Sequence, residues 1–149
     1  MKVNLILADS AQAVGGKLYL LGGGWTLTGP DPSPSAIAVL VEIPWDEANR
    51  VFNFKLSLFT GDDQAVIVPT PVGERPVEIE GQFEAGRPQG LKPGTPLMTP
   101  RVGNLAPLPL PPDGLYVWKL EINGRSEEDW QLSFRTRPVA QKTPGTIPG

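Results

Sequence analysis

The side chains best able to do chemistry in this chain are carboxylates. Glu78, Glu80 and Glu84 fall on one face of an alternating stretch, Asp62 and Asp63 sit together in a GDD turn, and Asp46 and Glu47 lie elsewhere. Two carboxyl groups facing each other across a cleft would cleave a glycosidic bond, and oxygen ligands gathered at one end of a domain would hold calcium. The spacing supports neither. Nothing brings two glutamates into one pocket, and the ligand spacing of a calcium loop is absent. GDD is ordinary hairpin chemistry, and Asp46–Glu47 suit the first turn of a short helix. Both sets read as solvated surface, and the glutamate face also discourages edge-to-edge pairing.

Composition removes other chemistries. With no cysteine, the chain can form no disulfide, thiolate nucleophile, iron–sulfur cluster or Cys-ligated zinc site. The absence of histidine removes the commonest general base, the commonest transition-metal ligand and the usual pH switch. A net charge of −3 with scattered lysines and arginines lacks the basic footprint of a nucleic-acid or anionic-lipid binder. The expectation is a protein that is not an enzyme, with no catalytic residue, no cofactor and no metal. A hydrolase working on carboxylates alone is a remote alternative.

The glycines of LLGGGWT (Leu20 to Thr26) resemble a phosphate loop at first sight. A P-loop needs Gly-x-x-x-x-Gly-Lys-Ser/Thr and a dinucleotide fold needs Gly-x-Gly-x-x-Gly opening a helix. Here Gly22, Gly23 and Gly24 run into WTLTGP, which is alternating, β-prone and closed by proline. Glycines in such a setting mark a bend or the close approach of another backbone. They are read as architectural, with Trp25 covering the bend.

The elements that must position these residues are strands. A length of 149 residues with 40% apolar content fits one domain with a single core. The 18 prolines and 17 glycines disfavour long helices. Alternation recurs along the chain: Val3, Leu5 and Leu7; Leu18 and Leu20 after a VGGK turn; Ile37, Val39, Val41 and Ile43, with Ala38 and Leu40 keeping the other face apolar; Phe52, Phe54, Leu56 and Leu58; Val77, Ile79, Gly81 and Phe83. A hairpin turning at Asn123-Gly124 offers Tyr116, Trp118, Leu120 and Ile122 on one strand and Trp130, Leu132 and Phe134 on the other. Trp118 and Trp130 are expected in the core. Only PWDEANR (Pro44 to Arg50) suits a helical turn.

About eight short strands without a βα rhythm predict an all-β fold, a single antiparallel immunoglobulin-like β-sandwich with at most one short helical turn. Its domain spans 1–137, and the aperiodic, Pro/Gly-rich 138–149 is a tail. No stretch reaches the roughly 20 apolar residues of a membrane span. The apolar run from Val3 to Ala8 contains Asn4 and stops at Asp9, too short for a secretory h-region. A first strand, no membrane insertion and a cytoplasmic location are the expectation.

The most unusual segment is 88–112, PQGLKPGTPLMTPRVGNLAPLPLPP, which carries eight of the prolines and only Lys92 and Arg101 as charges. So long a stretch without regular structure in a compact domain tends to be functional or to cover an edge. APLPLPP resembles a polyproline ligand for an aromatic groove. The plainer reading is a proline-blunted edge strand followed by a crossover that packs Leu105, Leu108 and Leu110 onto the core. Arg101, Leu105, Leu108 and Leu110 are the candidate contact residues, joined by Trp45, whose place beside acids at a turn suits an exposed interface anchor, the plainer reading being a hydrophobic staple over the turn.

Two resemblances accompany these motifs. LPPDGLY places Leu110, Pro112, Gly114 and Tyr116 at alternate positions, which resembles the tyrosine corner of fibronectin-type and immunoglobulin-like domains. It implies a Tyr116 hydroxyl bonded back to the preceding loop, with glycine where those families usually carry threonine or alanine. GKLYLLGGGW (Gly16 to Trp25) and PLPLPPDGLYVWKLEING (Pro107 to Gly124) together resemble a family of small bacterial β-sandwich proteins without an assigned activity, over residues 1 to about 137. That likeness lends no catalytic residue. The resulting expectation is a non-enzymatic binding or assembly module that contacts another protein or copies of itself and binds no nucleic acid. A small-molecule or carbohydrate binder with a platform of Trp25, Trp45 or Phe59 is the alternative.

Overall fold

The computed structural model describes residues 1–140, and its regular secondary structure is almost wholly strand. In chain order these are β1 (Lys2–Ala8), β2 (Ser10–Val14), β3 (Lys17–Leu21), β4 (Leu27–Thr28), β5 (Ser35–Ile43), β6 (Val51–Thr60), β7 (Ile67–Thr70), β8 (Gly73–Pro76), β9 (Glu78–Glu84), β10 (Leu97–Leu105), β11 (Leu115–Ile122) and β12 (Gln131–Thr136). Among the described residues the one helical element is a 3-10 turn at Trp45–Glu47, after Pro44.

Eight of the twelve strands form two sheets, β1-β5-β10 and β4-β12-β11-β6-β9, and the other four form the hairpins β2-β3 and β7-β8. Neighbours are antiparallel except β4 and β12. If β1, β5, β6, β9, β10, β11 and β12 are taken as A, B, C, C′, E, F and G, one sheet reads A-B-E and the other G-F-C-C′. That is the strand order of an immunoglobulin-like sandwich without strand D.

Alternation explains the core. Ile37, Val39, Val41 and Ile43 of β5 are buried, as are Leu56 and Leu58 of β6 and Tyr116, Trp118, Leu120 and Ile122 of β11. Glu78, Glu80, Gln82 and Glu84 on β9 are exposed while Phe83 is buried. A sheet packed on one face produces this pattern. The other face of β5 is covered too: Ala36 and Ala38 have no exposed surface. Hairpin β2-β3 packs across β5 and β10 there, with Ala11 buried and Asn104 Nδ2 donating to the Ala11 carbonyl at 3.4 Å. Its turn, Gly15-Gly16, has φ of 59° and 74°, the left-handed pair that a two-residue hairpin of this twist requires.

One stretch differs from the sequence expectation, and another follows its plainer reading. The glycine triplet does not lie inside a strand: β3 ends at Leu21, and Gly22–Gly24 return the chain toward β1, where Gly24 N–H donates to the Leu7 carbonyl at 2.7 Å. The Pro-rich 88–112 follows the plainer reading: it contains a nine-residue strand, β10, at the edge of its sheet, and Leu105, Leu108 and Leu110 pack against the core. Pro100 sits within β10, a position that only an edge strand tolerates well. The tail expected at 138–149 has no regular structure through Ala140, and 141–149 lie outside the described residues. Among the described residues, no helix is long and apolar enough to cross a membrane.

Candidate functional site

The acids do not converge. Lys55 stands between two of them, 3.3 Å from Glu78 and 3.9 Å from Glu80 across the β6-β9 pairing, and Asp63 pairs with Lys119. These are exposed ion pairs of the kind that contribute little. No group of three metal-ligating side chains occurs among the described residues.

The candidate contact residues fall into three places. Leu105, Leu108 and Leu110 are half-buried against the core. With Trp25, Trp118 and Phe134 they line a small, partly open cavity of about 40 Å³, a space on the scale of a few waters. Trp25 meets Phe134 edge-on at 6.0 Å between centroids, and its Nε1 is enclosed with no hydrogen-bond partner in the chain. Between the leucines, Pro107, Pro109 and Pro111 are exposed. The strap is not a regular polyproline helix: Leu110 N–H donates to the Leu108 carbonyl at 2.8 Å, a tight turn centred on Pro109.

Trp45 lies elsewhere, half-buried, with the Arg87 guanidinium 4.4 Å above its ring. Arg87 Nη2 also donates to the Trp45 carbonyl at 2.8 Å, so one face of this indole is already covered. Arg101 is separate again, on the face of β10 turned toward the core, where it pairs in register with Val39.

A further apolar feature, on hairpin β2-β3, is one that sequence reasoning missed. In hairpin β2-β3 the pairs Ala11–Leu20 and Ala13–Leu18 share the face that carries the buried Ala11. Ser10–Leu21, Gln12–Tyr19 and Val14–Lys17 share the other. On that outer face Leu21 is 71% exposed, Val14 57% and Tyr19 55%. Neither strand has a second hydrogen-bonded neighbour. The signal was the unbroken apolar run LYLL at 18–21, which exceeds what a half-buried strand needs and matches a strand with apolar character on both faces.

The sequence that builds this sandwich matches the model of a family of unknown function, DUF6941, over residues 4–135. The chain belongs to that family. The match runs from β1 into β12 and so spans both sheets and both hairpins. Comparisons with curated proteins and with solved structures gave no match. In this DUF6941 chain Tyr116 performs the tyrosine-corner contact: its hydroxyl donates to the Pro111 carbonyl at 3.3 Å. Burial pushes the Tyr116 phenol above its ordinary pKa. Trp118 stands two residues after that tyrosine, where immunoglobulin domains place the strand-F cysteine of their inter-sheet disulfide, and it is almost fully buried.

Proposed function

We propose that this protein is a non-enzymatic binding or assembly module that acts through contacts with another protein or with copies of itself, in the bacterial cytoplasm. The observation that supports this most is the outer face of hairpin β2-β3. Three large apolar side chains, Val14, Tyr19 and Leu21, stand in solvent on a two-stranded element with free edges. Exposed apolar patches of this kind mark interaction surfaces, and tyrosine is a common anchor in them. The hairpin hangs on the body of the sandwich through Ala11 and Asn104, so its outer face is held in a fixed orientation.

The experiment compares the natural chain with Tyr19→Ser/Leu21→Ser by sedimentation velocity and by capture from native lysate with mass spectrometry. Self-association, or a captured protein, that is lost in the double variant while circular dichroism is unchanged supports the reading. A monomer that captures the same proteins with or without the two side chains refutes it for this face.

A further inference from the structure

The cleft along the free edge of β10 lies where an immunoglobulin sandwich would carry strand D beside strand E. The chain from Ala85 to Pro96 forms no strand there and instead makes two turns, closed by Leu91 N–H to the Pro88 carbonyl at 3.2 Å and Thr95 N–H to the Lys92 carbonyl at 3.1 Å. Between these turns and β10 opens a cleft of about 480 Å³, within the usual range of small-ligand sites. Its walls include Ala85, Pro88, Leu91, Pro96 and Leu97, with Met98 at the lip.

One cation serves this apolar cleft. Arg101 lines it from the core-facing side of β10, its guanidinium 5.6 Å from the centre of the Phe83 ring. Arg101 Nε is enclosed with no hydrogen-bond partner, and Arg101 enters none of the four ion pairs among the described residues. The residue as a whole is half-buried, and the group best suited to pair with the part of its guanidinium that faces the cleft is a carboxylate, whose two oxygens match the guanidinium fork. Glu84, the one acid in the lining, is exposed and outside ion-pair distance.

We propose that this cleft binds a small organic monocarboxylate with an apolar body, its carboxylate on Arg101 and its body against Leu91, Pro88 and Leu97. Hairpin β2-β3 borders the cleft through Ala13 and Gly16, but its outer face with Val14, Tyr19 and Leu21, proposed for protein contacts, takes no part in it. A single guanidinium with no lysine in the lining suits one negative charge better than a phosphate dianion. An added strand is disfavoured because Pro100, in the middle of β10, removes a backbone donor from the edge.

Calorimetric titration of the full chain tests this with four probes: hexanoate, hexanol, inorganic phosphate and acetyl-Gly-Leu with a free C-terminus. Hexanoate is expected to bind saturably at one site, and hexanol and phosphate at least about tenfold more weakly, the scale of one charge-assisted contact. Arg101→Gln should weaken hexanoate by about tenfold or more. Leu91→Asp, a turn position that places a like charge on the wall, should also abolish binding, and Glu84→Gln should tighten it. Circular dichroism of each variant verifies the fold. Absence of saturable hexanoate binding, or equal affinity in Arg101→Gln, overturns the proposal. Phosphate binding as tightly as hexanoate would make this a simple anion site, and a peptide binding tenfold more tightly would make it a chain-terminus site; either result also overturns it.

Discussion

The Tyr116 hydroxyl and the Thr136 hydroxyl donate to the same oxygen, the carbonyl of Pro111, at 3.3 and 2.8 Å. Thr136 Oγ1 in turn accepts from Gly114 N–H at 2.8 Å, and Thr136 N–H donates to the Gly114 carbonyl at 3.0 Å. One carbonyl thus ties the end of the Pro-rich crossover to β11 and β12. The strap whose leucines pack inward is held at its C-terminal end by side chains.

The shared acceptor sets an order of effects. Tyr116→Phe removes one donor, and the Thr136 hydroxyl still serves Pro111, so the loss should stay near 1 kcal/mol or below. Thr136→Val removes that donor and leaves Gly114 N–H without its acceptor, and should cost about twice as much. Urea unfolding of both variants measures the order; a larger loss for Tyr116→Phe would contradict the geometry.

Burial of the same phenol gives a pH dependence. The Tyr116 pKa is raised in the folded state above its ordinary value of 10.0. Below that value both states keep the proton and stability does not depend on it. Above about pH 10 the unfolded chain releases the proton first, the folded state holds more protons, and stability falls as pH rises toward the folded pKa. Unfolding titrations across the alkaline range should show this decline, and Tyr116→Phe should flatten it.

Much of the fold was legible in the sequence because most strands pack on one face and therefore alternate. The Ile37–Ile43 row, the Phe52–Leu58 row and the Tyr116–Ile122 hairpin lie as their spacing predicts. β10 was harder to read because its core-facing positions carry Thr99, Arg101 and Gly103. Gly103 leaves room for Ile79: a Cβ added there would come within 2.6 Å of Ile79 Cδ1. A strand whose inner face is filled by a neighbour's side chain shows no alternation of its own. The candidate surfaces were less legible still. Nothing local in the sequence reveals that hairpin β2-β3 lies over β5, because that packing is set by Ala36 and Ala38, small residues distant along the chain.

Those alanines allow the hairpin to be tested. Ala38 is fully buried between the sandwich and the hairpin, so Ala38→Leu should overpack the layer at a cost of about 1–3 kcal/mol. The hairpin is the lighter of the two parts and should yield first. Hydrogen exchange is expected to speed up at residues 10–21 while β11 and β12 keep their protection. Uniform loss of protection across both sheets would show that the hairpin is not a separable layer.

Trp118 supplies the last test. It stands at the strand-F position where immunoglobulin domains carry a cysteine of the inter-sheet disulfide, and it is 1% exposed. It also closes one side of the cavity under the Pro-rich strap. Trp118→Ala should therefore cost about 3–5 kcal/mol, a large part of the stability of a domain this size, and should loosen Leu108 and Leu110 with it. Trp45→Ala removes a half-buried ring that packs under Arg87 at the edge of the fold, and should cost clearly less. Urea midpoints of the two variants make the comparison, with circular dichroism to report whether Trp118→Ala still folds. Equal losses would place the weight of the core elsewhere than at the inter-sheet position on β11.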